Sequence, residues 1–131
     1  MCIFCKIVAG DLPSYKVYED DRILAFLNIK PVSSGQTLVI PKKHFANLEE
    51  VEEDDLTALI LAVKRVGYLL KTKLGIPGYN LSVNNDPVAG QEIPHFHFHV
   101  IPRHNNDGLS PWPHFEYNEG EMEGIIKKLQ N

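Results

Sequence analysis

Histidine and large apolar residues alternate strictly between residues 95 and 100, in the order His-Phe-His-Phe-His-Val. Side chains on a β-strand point by turns to the two faces of the sheet. A strand here therefore places His95, His97 and His99 on one face and the two phenylalanines and Val100 on the other, which would be core. An isolated polar residue on a strand is usually structural. Three imidazoles in a row, each able to act as nucleophile, acid, base or metal ligand, instead indicate chemistry on phosphate, carbonyl or metal.

Composition narrows the class of protein that carries this row. The 131 residues are 44% hydrophobic and 23% charged, without repeats or low-complexity tracts, which predicts one globular domain over residues 1–131. The 13 basic residues against 17 acidic ones give a formal charge of −4, so a nucleic-acid partner is not expected. No apolar run approaches the ~20 residues of a membrane span. Because the N-terminal Met-Cys-Ile-Phe-Cys-Lys is not a signal peptide, we expect a cytoplasmic protein with no membrane partner.

Hydrophobic periodicity and turn residues predict five strands, one long helix and short helices at both ends. The strands fall at residues 15–18, 22–27, 37–40, 79–83 and 93–101, and the first two form a hairpin. The long helix covers residues 52–74, between an acidic start and a stop at Gly75 and Pro77. Its apolar stripe is interpreted as core packing without chemistry. A helical turn is expected at residues 2–8, and a second short helix ends the tail of residues 104–131.

Two cysteines in the spacing Cys2-x-x-Cys5 fit a metal site or a redox pair better than a structural disulfide in a cytoplasmic protein. With His44 and His95 they offer two thiolates and two imidazoles, a ligand set that zinc prefers in tetrahedral sites. The two histidines are far from the cysteines and from each other in the sequence. Spacing alone therefore leaves open the alternative that the cysteines are simply buried as small hydrophobic residues.

Several further motifs accompany the alternating run. The run follows Gly90-Gln91 and leads into Ile-Pro-Arg at residues 101–103. Upstream lie Cys-Ile-Phe-Cys-Lys-Ile at residues 2–7, Ala-Phe-Leu-Asn-Ile-Lys-Pro at residues 25–31 and Leu-Val-Ile-Pro-Lys-Lys-His at residues 38–44. Together and in this order, these segments resemble the histidine triad (HIT) superfamily of nucleotide hydrolases and transferases, and the resemblance covers about residues 2–103.

The resemblance implies an α+β fold with a five-stranded antiparallel sheet that continues across a homodimer. It also implies cleavage at the α-phosphate of a purine nucleotide conjugate, which would be a phosphoramidate, an adenylate or a dinucleoside polyphosphate. His97, the middle histidine of the three, would attack the phosphorus and carry the covalent nucleotidyl group, and His95 and His99 would flank it as further catalytic residues. The other implied ligand contacts are His99 and Asn84 to phosphate, Gln91 in the same pocket, Asn28 to the ribose, and Ile3, Phe4, Ile7 and Ile29 around the purine. Core packing remains the alternative for these apolar residues.

Members of the family that begin with a C-x-x-C turn imply a structural zinc at Cys2, Cys5, His44 and His95. Glu92 departs from the pattern, because many phosphoramidases of the family carry Ser or Thr there, and it leaves the class of leaving group open. Trp112 is expected to reach the pocket of the neighbouring subunit. Two other functions stay open: a zinc hydrolase that uses the histidines as a catalytic metal site, and a non-catalytic nucleotide-binding regulatory module.

Overall fold

The computed structural model describes residues 2–130 and shows an α+β fold. The predicted domain boundaries at residues 1 and 131 lie outside the described part. Within it, three α-helices and five strands follow one another, with short 3-10 turns at Leu48–Glu50 and Pro87–Ala89. The helices are α1 (Ile3–Ala9), α2 (Glu53–Leu74) and α3 (Glu121–Gln130); the strands are β1 (Lys16–Glu19), β2 (Ile23–Leu27), β3 (Thr37–Pro41), β4 (Gly78–Ser82) and β5 (Phe98–Arg103).

The five strands form one antiparallel sheet in the order β1-β2-β3-β5-β4, which confirms the predicted sheet. The predicted hairpin is the β1–β2 pair. Strand β5 lies between β3 and β4, where His99 is paired with Leu38 on one side and Ser82 on the other. The histidine row therefore leads into the interior of the sheet rather than to an edge.

The long helix α2 packs along one face of the sheet, as its periodicity predicts. Its buried residues Leu59, Val63 and Val66 belong to the same core cluster as Phe96 and Val100. The predicted stripe is wider than the buried face, since Ile60 and Leu74 of this stripe are exposed. At Gly67 a Cβ atom would lie 2.3 Å from the ring of Tyr79 in β4, so a larger residue here would force that ring to move. The helix ends at Gly75, whose φ of +69° is left-handed.

A second core cluster covers the opposite face of the sheet. Phe4 of α1 packs there with Leu24, Phe26, Leu38 and Ile40. Residues directly opposite on paired strands share a face, so His99 faces this cluster together with Leu38. The histidine side of the sheet is therefore covered by α1, and the sheet has core on both faces.

The predicted strand over residues 93–101 is wrong at its start, because β5 begins only at Phe98. The N–H of Phe96 donates to the main-chain oxygen of Phe45 at 2.7 Å, in the loop after β3, instead of to a neighbouring strand. Pro94 has no backbone N–H and so cannot donate a hydrogen bond to a neighbouring strand. The alternation of faces nevertheless holds, since Phe96 packs on the α2 side while the His97 ring contacts Phe4 on the other side.

The C-terminal segment leaves the sheet and packs little against it. None of the residues of α3 is buried, and Trp112 is 87% exposed. The predicted C-terminal helix is confirmed as α3, with its apolar residues Met122, Ile125, Ile126 and Leu129 uncovered in the single chain. Across residues 2–130, no helix combines the length and apolar character that crossing a membrane requires.

Candidate functional site

Four side chains that are distant in sequence meet beneath the N-terminal turn: Cys2, Cys5, His44 and His95. Their ligand atoms all lie within 4.8 Å of one another. The Nδ1 atom of His95 lies 3.5 Å from Cys2 Sγ and 3.6 Å from Cys5 Sγ. The Nδ1 atom of His44 lies 3.3 Å from Cys5 Sγ and 3.2 Å from the Nδ1 of His95. The structure thus brings together all four residues that the sequence suggested as metal ligands.

These separations match the edges of a zinc tetrahedron. With usual Zn–N and Zn–S bond lengths, the edges are about 3.4 Å between two nitrogens and about 3.6 Å between nitrogen and sulfur. Burial, followed by the neighbouring Cys2 thiol, raises the pKa of the Cys5 thiol. Two facing thiols and two imidazole nitrogens form a donor set that a soft divalent cation satisfies. The residues present therefore fit a metal of the zinc type.

His95 connects this metal-type cluster to the next histidine in the row. Its Nδ1 faces the thiols, and its Nε2–H donates to the main-chain oxygen of Pro41 at 2.8 Å. Burial lowers the pKa of His95 to about 4, and the hydrogen bond to Pro41 opposes this shift only in part. Its own main-chain oxygen accepts a hydrogen bond from His97 Nδ1–H at 2.7 Å. His95 does not line the main cavity, so the structure places it behind His97.

His97 lies in the wall of that cavity and is almost fully buried. A carbonyl oxygen can only accept, so the hydrogen bond to His95 holds the proton of the neutral ring on Nδ1. Burial lowers the pKa of His97, although the same hydrogen bond works against the shift. The neutral imidazole therefore keeps an unshared electron pair on Nε2.

His99 has the opposite tautomer because of Gln36. The N–H of Val32 donates to Oε1 of Gln36 at 2.7 Å, which turns the amide nitrogen of Gln36 toward His99 Nδ1 at 3.1 Å. Nδ1 must therefore accept, and the proton of neutral His99 sits on Nε2, which is buried and has no partner among the described residues. Burial lowers the pKa of His99 to about 4, and the electrostatic interaction with the neighbouring His97 acts in the same direction. A buried N–H without a partner reduces the stability of the fold by about 1–3 kcal/mol, so a ligand that supplies a hydrogen-bond acceptor to this N–H would be favoured.

The cavity around these two histidines has a volume of about 630 Å³. Its wall includes the following residues that the sequence suggested as ligand contacts: Ile3, Phe4, Ile7, Asn28, Ile29, Asn84, His97 and His99. Ile3 is 51% exposed and Ile29 is 85% exposed, so core packing does not account for them. Apolar side chains that stay exposed around a concave site are typical of a ligand wall.

Gln91 stands beside the cavity rather than in its wall, contrary to the prediction. Its Oε1 accepts from the N–H of Asp86 at 2.8 Å, and its Nε2 donates to the main-chain oxygen of Ala46 at 2.7 Å. Asp86 has a φ of +77°, which a residue with a Cβ rarely adopts. The Gln91 side chain therefore holds the turn between Asn84 and Gly90, both of which line the cavity.

The sequence interpretation missed Gln36 and Ser82. Gln36 comes directly before the predicted third strand and is buried in the structure. A polar residue next to a buried strand would have been a signal, but its partner His99 is remote in sequence. Ser82 lines the cavity because β4 pairs with β5 at His99, and strand order could not be deduced from the residues alone.

The sequence and the fold are both similar to those of known proteins. Residues 9–106 match the HIT domain family. The adenosine 5′-monophosphoramidase of Schizosaccharomyces pombe is 39% identical over 133 residues, 99% of this chain and 96% of that protein. A HIT family crystal structure from Bacillus subtilis has a TM-score of 0.90 at 38% identity, over 98% of this chain and 94% of that one. A zinc-bound histidine triad family protein from Mycobacterium smegmatis has a TM-score of 0.79 at 32% identity, over 98% and 95%.

Proposed function

This chain belongs to the HIT domain family, and from that premise we propose that it is a nucleotide hydrolase or transferase acting at an α-phosphate. Its substrate would be a purine nucleotide conjugate: a phosphoramidate, an adenylate or a dinucleoside polyphosphate. The observation that carries the proposal is the hydrogen bond from His97 Nδ1 to the His95 oxygen. It leaves one imidazole in the cavity wall with a free electron pair on a fixed ring.

In the first step, His97 Nε2 attacks the α-phosphorus and the bond to the leaving group breaks. The electron pair of that bond goes to the leaving group, which takes up a proton from water. The new P–N bond makes the ring an imidazolium, because Nδ1 keeps its proton against the His95 oxygen. In the second step, water attacks the same phosphorus, the P–N bond breaks, and its electron pair returns to Nε2. The attacking water gives one proton to the hydroxide that remained in solution when the leaving group was protonated. The products are the nucleoside monophosphate, a free leaving group and neutral His97.

The remaining contacts are proposed from the family resemblance, and the residues concerned line the cavity. The apolar side chains of Ile3, Phe4 and Ile7 would contact the purine, and Asn28 would bind the ribose hydroxyls. The Nε2–H of His99 and the amide of Asn84 would bind the phosphate oxygens, on which charge builds up during attack. Donors already held in place, here by Gln36 for His99, stabilise such charge without reorganising. His95 would act as a positioning residue for His97.

A metal at Cys2, Cys5, His44 and His95 would be structural and would be zinc. Cys2 and Cys5 would join His44 and His95 in holding it, which would fasten the segment around α1 to the loop after β3 and support the wall that Phe4 provides. Four protein ligands would fill a tetrahedral zinc site, so no ligand position would remain for a catalytic water. His97 and His99 lie outside the cluster. Both points argue against the alternative in which the histidine row holds a catalytic metal.

We propose one domain that pairs as a homodimer through β4, an edge strand of the sheet. Unpaired strand edges are normally covered. Leu81 of β4 and Ile60 of α2 are each 45% exposed, which gives this side of the chain an apolar surface. A cytoplasmic location, without nucleic acid as a partner, remains our expectation from the sequence.

A turnover assay tests the proposal. Purified protein is given adenosine 5′-phosphoramidate, an aminoacyl adenylate and a dinucleoside polyphosphate, and release of adenosine monophosphate is followed. We expect hydrolysis of at least one, with His97→Ala reducing kcat by about a thousandfold or more while adenosine monophosphate still binds. Binding without turnover of any substrate would favour the regulatory module instead.

A further inference from the structure

The cavity that holds His97 and His99 has one acidic side chain and no lysine or arginine among the described residues of its wall. The acidic residue is Glu92. The Glu92 side chain is exposed and forms no ion pair or hydrogen bond with another described side chain. Its carboxylate is therefore free to interact with whatever occupies the cavity beside the histidines.

Sites that bind several phosphates usually supply arginine or lysine, whose charge and donors match the oxygens. None of the described wall residues is of either type. His99 offers a neutral donor, since burial lowers its pKa to about 4. Neutral donors from His99 and Asn84 suffice for one phosphate. A second or third phosphate would add negative charge with no cation to meet it and with a carboxylate nearby.

Glu92 lies on the chain segment that carries the proposed phosphate contacts. It follows Asn84 and Gly90, which line the cavity, and precedes His97. The apolar wall from Ile3, Phe4 and Ile7 comes from α1, on a separate part of the chain. With a nucleoside against the apolar wall and its phosphate at His97 and His99, the Glu92 carboxylate in the same cavity wall would lie near the group attached to that phosphate.

We propose that Glu92 selects the leaving group by its charge, so that this site prefers nucleoside phosphoramidates whose departing amine carries a second, positively charged group. This inference rests on the proposed function. In the reaction the α-phosphorus–nitrogen bond breaks, its electron pair stays on the amine nitrogen, and that nitrogen takes a proton from water. Glu92 forms no bond; its carboxylate attracts the ammonium group at the far end of the amine and repels an anionic one.

Three matched substrates separate this effect from intrinsic reactivity. Adenosine monophosphate is joined through nitrogen to ethylenediamine, to propylamine or to β-alanine, which end in a cationic, a neutral and an anionic group. Measuring kcat/KM for all three in wild type and in Glu92→Gln cancels the chemical differences between the amines. Glu53→Gln is the charge-matched control, because Glu53 is exposed at the start of α2 and does not line the cavity.

We expect wild type to prefer the cationic substrate to the anionic one. Glu92→Gln should reduce that preference by about three- to tenfold, with the neutral substrate changed less than about twofold, as a solvent-screened unit charge predicts. Glu92→Lys should invert the preference, and Glu53→Gln should leave it unchanged.

Two results would overturn the inference while the proposed function stands: an unchanged preference in Glu92→Gln, or an equal change for all three substrates. A wild-type protein that hydrolyses none of the three overturns this inference. If the same protein also cleaves neither an aminoacyl adenylate nor a dinucleoside polyphosphate, the proposed function is overturned with it.

Discussion

The Nδ1 atom of His97 lies 2.7 Å from the main-chain oxygen of His95. The side chain of the same His95 points its own Nδ1 at the thiols of Cys2 and Cys5. One residue therefore belongs to the metal-type cluster through its ring and orients the proposed nucleophile through its backbone. Because of this double contact, events at the cluster should affect the geometry of the cavity.

The first prediction concerns metal content. Purified protein should contain about one zinc per chain, and Cys5→Ser should lose most of it, because a tetrahedral site needs all four ligands. Chelation should lower the melting temperature by at least about 5 °C, since bound metal stabilises only the folded chain. His114→Gln, which lies outside the cluster, is the control and should keep its zinc. A metal-free protein of unchanged stability would contradict the structural role.

The second prediction concerns Gln36. Gln36→Leu removes the donor to His99 Nδ1 and with it the support for the Nε2–H tautomer. We expect binding of adenosine monophosphate to weaken by about three- to tenfold, the value of one hydrogen bond. Adenosine, which has no phosphate, should bind within twofold of wild type and serves as the internal control in calorimetry. Equal weakening for both ligands would mean that Gln36 supports the cavity as a whole.

The third prediction is a loss of stability in mild acid. Burial lowers the pKa of His99 to about 4 in the folded chain, against about 6.5 for an unperturbed histidine. Between these values the unfolded chain binds more protons, so the free energy of unfolding falls as pH drops. The stability that neutral His99 contributes to the folded chain is complete above about pH 6.5 and is lost as pH falls to about 4. Denaturant midpoints at pH 7.5 and 5 should differ in wild type and differ less in His99→Asn; equal differences would rule out His99 as a source.

Much of this arrangement could be predicted from the sequence, and the reasons are local. The alternation of His97 with Phe96 and Phe98 could be read from the residue pattern and holds although only Phe98 lies in the strand. Helix α2 follows from its apolar period and the stop at Gly75. The start of β5 could not be predicted, because Phe96 bonds to Phe45 in a distant loop. The pairing of Gln36 with His99 likewise depends on the strand order. The family resemblance suggested Gln91 as a ligand contact, whereas its side chain is occupied by Asp86 and Ala46.

The fourth prediction concerns assembly. Light scattering should show a dimer at micromolar concentration, and Leu81→Asp should shift it toward monomer by placing a charge on the exposed apolar edge of β4. Val88→Asp adds the same charge at another exposed apolar residue and should leave the dimer intact.

If Trp112 reaches the neighbouring pocket, Trp112→Ala should change the ratio of kcat/KM between substrates. A monomeric wild type would contradict the dimer, and an unchanged ratio would contradict the role of Trp112.

The central claim is that His97 carries the nucleotide between two chemical steps. Mass spectrometry of protein quenched at neutral or alkaline pH during turnover measures it most directly. We predict a wild-type species heavier by one nucleotidyl group, with the added mass on the peptide that contains His97, and no such species in His97→Ala. The absence of any adduct, together with near-normal turnover by His97→Ala, would contradict the claim.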